Sequence, residues 1–134
     1  MSEEAFDKQQ LITYRLARAR KTLQDAQLLA EQGGTPGSII NRSYYAMFYA
    51  VVALLTSLGK GTSKHSGAIA LFDRLFVKTG KLPKSMSKAI HKAFDLRQIG
   101  DCRELIELDQ EQAGEVFRSA EQFVDTVKNY LATQ

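Results

Sequence analysis

The sequence predicts an all-α protein, an up-and-down four-helix bundle with an additional short helix, with residues 1–134 as a single domain. Three observations predict this fold. Apolar residues recur at steps of three and four along most of the chain, which is the period of an amphipathic helix. Short stretches containing Gly, Pro, Ser or Thr join these segments, as turns between antiparallel helices do. No segment shows the alternating pattern of a β-strand.

The most apolar segment, residues 41–58, is the predicted central helix. A helix that is apolar on nearly all faces must be covered on all sides by protein or lipid. Arg42 interrupts the segment early and Thr56 late, which leaves it shorter than the roughly 20 apolar residues of a membrane span. We therefore predict a buried helix in a soluble bundle, without membrane contact. Its main stripe consists of Ile40, Tyr44, Met47, Val51, Leu54 and Leu58.

The first helix is predicted from about Asp7 to Gln32, with Asp7 and Gln10 as a capping box. Gly33 supplies the left-handed conformation that commonly ends a helix. The polar face of this helix is strongly basic. That face could contact phosphate, and the alternative is an ordinary solvated surface. Its cationic residues are Arg15, Arg18, Arg20 and Lys21.

The second helix is predicted to begin with Thr35 as its cap and Pro36 at its first helical position, and to end at Gly59. A third, shorter helix is predicted over Lys64–Val77, with Ser63 as its cap.

The fourth helix is predicted from about Ser85 to Asp101, and Arg97 continues its apolar face three residues beyond Phe94. The last helix is predicted to begin at Asp109, where Gln112 completes a capping box.

Charge and cysteine content limit the classes of function only mildly. The net charge is +3, but residues 60–92 carry a balance of +7 and residues 101–125 a balance of −6. This asymmetry would suit an anionic ligand or head-to-tail packing of protomers, and the alternative is solvated helix faces. The single cysteine, Cys102, cannot form an internal disulfide, and the N-terminus has no pattern of a secretory signal. We therefore expect a cytoplasmic protein.

Polar residues interrupt the apolar pattern of the second helix on one face. Arg42, Tyr45 and Tyr49 follow one another at steps of three and four. A guanidinium and phenol groups on one face could hold a phosphate or stack on a base. The alternative is a buried arginine paired with carboxylates, with the tyrosines packed as core.

Three further candidates lie on other helices. Arg97 and Asp101 are four residues apart and share a face of the fourth helix. Lys64 and His65 lie at the start of the third helix, where free backbone N–H groups favour anions. His65 could act as an acid or base near neutral pH, and the alternative is a structural role. His91 lies among lysines and is predicted to face solvent. No metal or cofactor is predicted, since two histidines and one cysteine lack ligand spacing.

Four ordered segments resemble small prokaryotic HEPN-domain proteins. They are residues 41–48 (Asn-Arg-Ser-Tyr-Tyr-Ala-Met-Phe), residues 64–67 (Lys-His-Ser-Gly), residues 76–83 (Phe-Val-Lys-Thr-Gly-Lys-Leu-Pro), and Leu96-Arg97 with Asp101. The resemblance implies a HEPN-like helical bundle, usually a homodimer. It also implies frequent pairing with a minimal nucleotidyltransferase in a toxin–antitoxin-like pair, and metal-independent ribonuclease activity in many members.

The sequence departs from the ribonuclease motif of this family. That motif is an Arg followed, after four to six residues, by a His, whereas Cys102, Arg103 and Glu104 occupy those positions after Arg97. The leading prediction is therefore a nucleotide- or RNA-phosphate-binding subunit that is non-catalytic or weakly active. Its ligand-binding residues would be Arg42, Tyr45, Lys64, His65 and Arg97.

Two alternatives stay open. One is a metal-independent endoribonuclease toxin that uses His65 with Arg97, and with Asp101 as a third catalytic candidate. The other is a purely structural partner protein.

Overall fold

A computed structural model describes residues 3–61, 64–102 and 108–134 of the chain, and side chains within 7–61, 64–99 and 108–134. These ranges contain five α-helices and no strand, so the all-α prediction is confirmed. The third α-helix continues into one π-helical segment, Asp73–Val77. The α-helices are α1 (Glu3–Glu31), α2 (Pro36–Ser57), α3 (His65–Phe72), α4 (Lys84–Cys102) and α5 (Gln110–Ala132).

The helix α2 is the centre of the bundle, and α1, α3, α4 and α5 all pack against it. Tyr44, Met47, Val51 and Leu54 are fully buried, as the apolar stripe predicted, whereas Leu58, the last residue of that stripe, lies at the C-terminal cap of α2 and is 41% exposed. By length and composition alone, α2 is the one described helix that could cross a membrane. However, 72% of its most apolar 18-residue window is buried inside the bundle. Packing against protein therefore accounts for its apolar character.

Side-chain caps and glycines define several helix ends as predicted. The Thr35 hydroxyl accepts a hydrogen bond from the Ser38 amide at 3.3 Å, and Pro36 occupies the first position of α2. At the start of α5, Asp109 Oδ1 accepts from the Gln112 amide at 2.7 Å, and Gln112 Oε1 accepts from the Asp109 amide at 2.9 Å. This reciprocal pair satisfies two amides that α5 cannot satisfy internally.

One predicted helix start differs from the structure, and one predicted cap is not tested by it. The helix α1 begins at Glu3, so Asp7 lies inside the helix and its predicted capping box with Gln10 is wrong. The predicted cap at Ser63 lies outside the described residues.

The third predicted helix extends over the expected residues but changes its geometry. It is α-helical to Phe72 and then forms the π-helical turn Asp73–Val77. Phe72 and Phe76 remain buried on either side of the change. A π-turn adds a residue to one helical turn without exposing the apolar face.

Candidate functional site

The structure brings together predicted site residues from three helices on one half-buried face of α2. Arg42 and Tyr45 come from α2, His65 is the first residue of α3, and Arg97 comes from the C-terminal half of α4. Aromatic side chains fill the space between these polar groups. We call this group the arginine–aromatic cluster, and it consists of Arg42, Tyr44, Tyr45, Phe48, His65, Phe94 and Arg97.

Within the cluster, Arg97 donates a hydrogen bond to Tyr45 and lies close to three aromatic rings. Its Nη1 donates to the Tyr45 hydroxyl at 2.8 Å. The guanidinium carbon lies 4.9 Å from the ring centroid of Tyr44, 5.5 Å from that of Tyr45 and 5.6 Å from that of Phe94. These distances are within the range of cation–π attraction. Arg97 is therefore half-buried and directed toward α2, as its position on the inward face of the fourth helix predicted.

His65 stacks on the ring of Phe48 and forms a hydrogen bond with the hydroxyl of Tyr44. Its ring stacks on Phe48 with centroids 3.8 Å apart and planes at 12°. Its Nδ1 lies 2.8 Å from the Tyr44 hydroxyl. Burial of the ring, with a further contribution from the Arg97 charge, lowers the pKa of His65 from its ordinary value of 6.5. The imidazole is therefore neutral at pH 7.

Tyr44 is the functional-site residue that the sequence analysis missed, because it was assigned only to the core. Its side chain is fully buried. Burial raises the pKa of Tyr44 to about 12, although the Arg97 charge opposes this shift. The phenol thus stays protonated and can donate to Nδ1 of His65, which leaves the imidazole proton on Nε2. A buried tyrosine hydroxyl needs a polar partner, and that rule was the signal available in the sequence.

Arg42 also lies close to Tyr45. Its guanidinium carbon is 5.2 Å from the Tyr45 ring centroid. Its Nε and Nη2 donate to Asn41 Oδ1 at 3.1 and 2.8 Å. Among the described residues, no carboxylate lies within ion-pair distance of Arg42. The alternative of an arginine paired with carboxylates is therefore not what the described part of the chain shows.

Four other predicted residues have different positions. Lys64 is exposed at the cap position of α3, next to His65. Asp101 lies in α4, but its side chain is outside the described residues. Tyr49 is one turn beyond Tyr45 and contacts α1 instead of Arg97. His91 is half exposed, as predicted, with its Nε2 2.7 Å from Asp73 Oδ2.

The arrangement suits anion binding better than metal binding or acid–base cycling. Among the described side chains, no group of three His, Cys, Asp or Glu residues could hold a metal ion. Two guanidinium groups lie near the Tyr45 ring, and partly desolvated guanidinium groups bind phosphate strongly. The neutral imidazole of His65 can accept a proton, but its lowered pKa makes it a poor proton donor at pH 7.

Comparison with known proteins identifies the family. A model of the HEPN domain matches residues 12–130. The chain belongs to the HEPN domain family. A UPF0332 protein of Thermotoga maritima is 42% identical over 125 residues, which cover 93% of this chain and 94% of that protein. A UPF0332 protein of Archaeoglobus fulgidus is 33% identical over 115 residues, which cover 86% of this chain and 90% of that protein.

Another relative carries a functional name. A Methanocaldococcus jannaschii protein named "Putative toxin" is 34% identical over 95 residues, which cover 71% of this chain and 65% of that protein. The HEPN resemblance of the four sequence segments is therefore confirmed for the family and its helical fold.

Proposed function

We propose that this HEPN-domain protein binds the phosphate groups of a nucleotide or RNA at the arginine–aromatic cluster and does not cleave them. The observation that carries the proposal is that the Arg97 guanidinium is held by the Tyr45 hydroxyl and that both Arg97 and Arg42 lie close to the Tyr45 ring, at 5.5 and 5.2 Å from its centroid. Holding a guanidinium rigidly before the ligand arrives reduces the ordering cost of binding. A phosphate can then accept hydrogen bonds from both arginines.

The other predicted residues complete this site. His65 presents Nε2–H when Tyr44 donates to Nδ1, which makes it a neutral donor to a phosphate oxygen. Lys64 adds a positive charge beside it, at the exposed edge of the cluster. Tyr45 offers a hydroxyl and a ring edge next to Arg97. Asp101 is a candidate to orient Arg97 from one turn along α4.

Binding to labelled single-stranded RNA and to ATP, measured by fluorescence anisotropy and calorimetry, tests this proposal. Arg97→Gln should weaken binding by roughly tenfold or more, because one charge-assisted contact contributes about 1.5–3 kcal/mol. Arg118→Gln is the matched control, since it removes the same charge from an exposed position on α5. Equal affinity of wild type and Arg97→Gln for both ligands would refute the assignment.

We also propose the assembly and location that the HEPN family implies, a cytoplasmic homodimer that can pair with a minimal nucleotidyltransferase. The single cysteine of the sequence supports a reducing compartment. Light scattering after size-exclusion chromatography measures the mass of the assembly. Co-expression with the product of the neighbouring gene tests the pairing. A monomeric protein that forms no complex with the product of the neighbouring gene would refute both the homodimer and the pairing.

A second candidate function is a metal-independent endoribonuclease, and the named toxin relative favours it. In that reaction the RNA 2′-oxygen attacks phosphorus and loses its proton, while the 5′-oxygen leaves and gains one. Neutral His65 could accept the first proton, and Arg97 could stabilise the charge on the phosphate. The described side chains offer no protonated imidazole near Arg97 for the second proton, which is why we place binding first.

Toxicity on overexpression separates the two candidates. A ribonuclease predicts growth arrest that His65→Ala relieves and His91→Ala does not, since His91 pairs with Asp73 away from the cluster. Harmless overexpression with intact cellular RNA supports the binding function. A stable complex with the neighbouring gene product and no ligand binding would instead indicate a purely structural partner protein.

A further inference from the structure

A second arginine–tyrosine pair continues the site along α2. The guanidinium carbon of Arg18, on α1, lies 4.2 Å from the ring centroid of Tyr49. The Tyr49 ring lies 5.9 Å from the Tyr45 ring, with an interplanar angle of 39°. Tyr45 in turn contacts Arg97 and Arg42. The guanidinium and phenol groups therefore form an unbroken series of contacts from α4 across α2 to α1.

The outer pair is accessible and positively charged. Arg18 is exposed, and Tyr49 is half-buried between α1 and α2. Within the described ranges, no carboxylate lies at ion-pair distance from Arg18, which the Tyr49 ring holds instead. Tyr14, one turn before Arg18 on α1, is 61% exposed and extends the same surface. An exposed cation over an aromatic ring, beside a second such pair, is typical of single-stranded nucleic-acid grooves.

The direction of the series follows from helix geometry. Tyr45 and Tyr49 are four residues apart on α2, so their rings are displaced by about one turn along the helix axis. Arg18 comes from α1 and contacts Tyr49, whereas Arg97 comes from α4 and contacts Tyr45. A ligand with one phosphate would bind at the Arg97 end, where Arg42 supplies a second guanidinium. A ligand with phosphates in series can reach both the Arg97 end and the Arg18 end.

Building on the proposed function, we propose that Arg18 and Tyr49 form a second phosphate subsite. The ligand is then a single-stranded RNA of two or more nucleotides that lies along α2. Arg18 binds the neighbouring phosphate, and Tyr49 holds its guanidinium in place. Contacts to the backbone carry little sequence information, so binding should tolerate any sequence. A second copy fits this face less well, because two-fold symmetry would place the arginines of one protomer against those of the other.

The test compares a labelled eight-nucleotide oligouridylate with UMP on the full chain. Arg18→Gln should weaken oligonucleotide binding by roughly tenfold. It should also lower the slope of log affinity against log salt by about one. Its affinity for UMP, measured by calorimetry, should equal that of wild type. Arg20→Gln is the control, because position 20 is exposed and lies on the far side of α1 from Arg18.

The outcomes separate this inference from the proposed function. Weaker binding of both UMP and the oligonucleotide by Arg97→Gln, together with weaker binding of the oligonucleotide alone by Arg18→Gln, supports the proposed function and the second subsite. Unchanged oligonucleotide affinity in Arg18→Gln overturns the second subsite while leaving the first. If Arg18→Gln changes only the dimerisation constant in analytical ultracentrifugation, the face is a protein interface and the inference is wrong. Absence of binding to either ligand in wild type overturns the proposed function itself.

Discussion

Replacing Tyr44 by Phe removes one buried hydroxyl and keeps the ring that packs against Phe48 and Phe94. The lost contact is the 2.8 Å hydrogen bond to His65 Nδ1. A neutral hydrogen bond of this kind contributes about 1 kcal/mol to the free energy of unfolding. His65 is half-buried, so water can replace part of the contact. At pH 7 we therefore expect Tyr44→Phe to be less stable than wild type by about 1 kcal/mol.

The same substitution has the opposite effect at alkaline pH. The pKa of Tyr44 is about 12 in the folded protein, above its ordinary value of 10.0. The unfolded chain therefore loses the phenol proton first, and the stabilising contribution is present below pH 10 and lost between about pH 10 and about pH 12. The two-unit difference corresponds to about 3 kcal/mol in full, and to about 1 kcal/mol near pH 11. Wild type and Tyr44→Phe should thus have equal stability near pH 11.

Urea unfolding followed by circular dichroism, at intervals from neutral to alkaline pH, measures this difference. All other side chains are common to the two proteins, so their contributions cancel in the comparison. Tyr14→Phe serves as the control, because Tyr14 is 61% exposed and its removal should leave a curve parallel to wild type. Parallel curves for wild type and Tyr44→Phe across the whole range would show that the phenol is not buried as the structure has it.

Two further predictions concern stability. The pKa of His65 is lowered in the fold, so its contribution is present above pH 6.5 and lost as pH falls toward the folded pKa. His65→Gln should therefore lose less stability than wild type from neutral to mildly acidic pH in the same urea assay, and an equal loss would contradict this. Asp109→Ala removes the capping box of α5 and should cost about 1 kcal/mol, whereas Asp109→Asn should recover most of it. Thermal unfolding measures the effect of the Asp109 substitutions. Unfolding of wild type, Asp109→Ala and Asp109→Asn at the same temperature would contradict this prediction.

The helices could be predicted where the spacing of apolar residues and the capping residues indicate the same helix. The stripe of α2, the Thr35–Pro36 start and the Asp109 capping box all combine a local pattern with a local hydrogen bond. The buried residues Val116 and Phe123 of α5 were not predicted, because α5 packs against three other helices and its apolar face is wider than one stripe.

The candidate site was predictable one helix at a time. Steps of three and four identified Arg42 and Tyr45 on α2 and the inward direction of Arg97 on α4. Periodicity cannot show which residues of different helices meet, so the contact between Tyr44 and His65 could not be predicted from the sequence. The pairing of Arg18 with Tyr49 was missed for the same reason, although both residues had been noted separately.

The position of His65 bears on the absence of a histidine four to six residues after Arg97. The chain lacks a His within reach of Arg97 along α4, but the first residue of α3 places another imidazole close enough for the Arg97 charge to lower its pKa. That imidazole is tied to a phenol with a raised pKa, so both groups stay neutral at pH 7. An acid–base cycle needs one group that gives up a proton readily, and neither does. For this reason we propose binding, and not cleavage, as the function of the arginine–aromatic cluster.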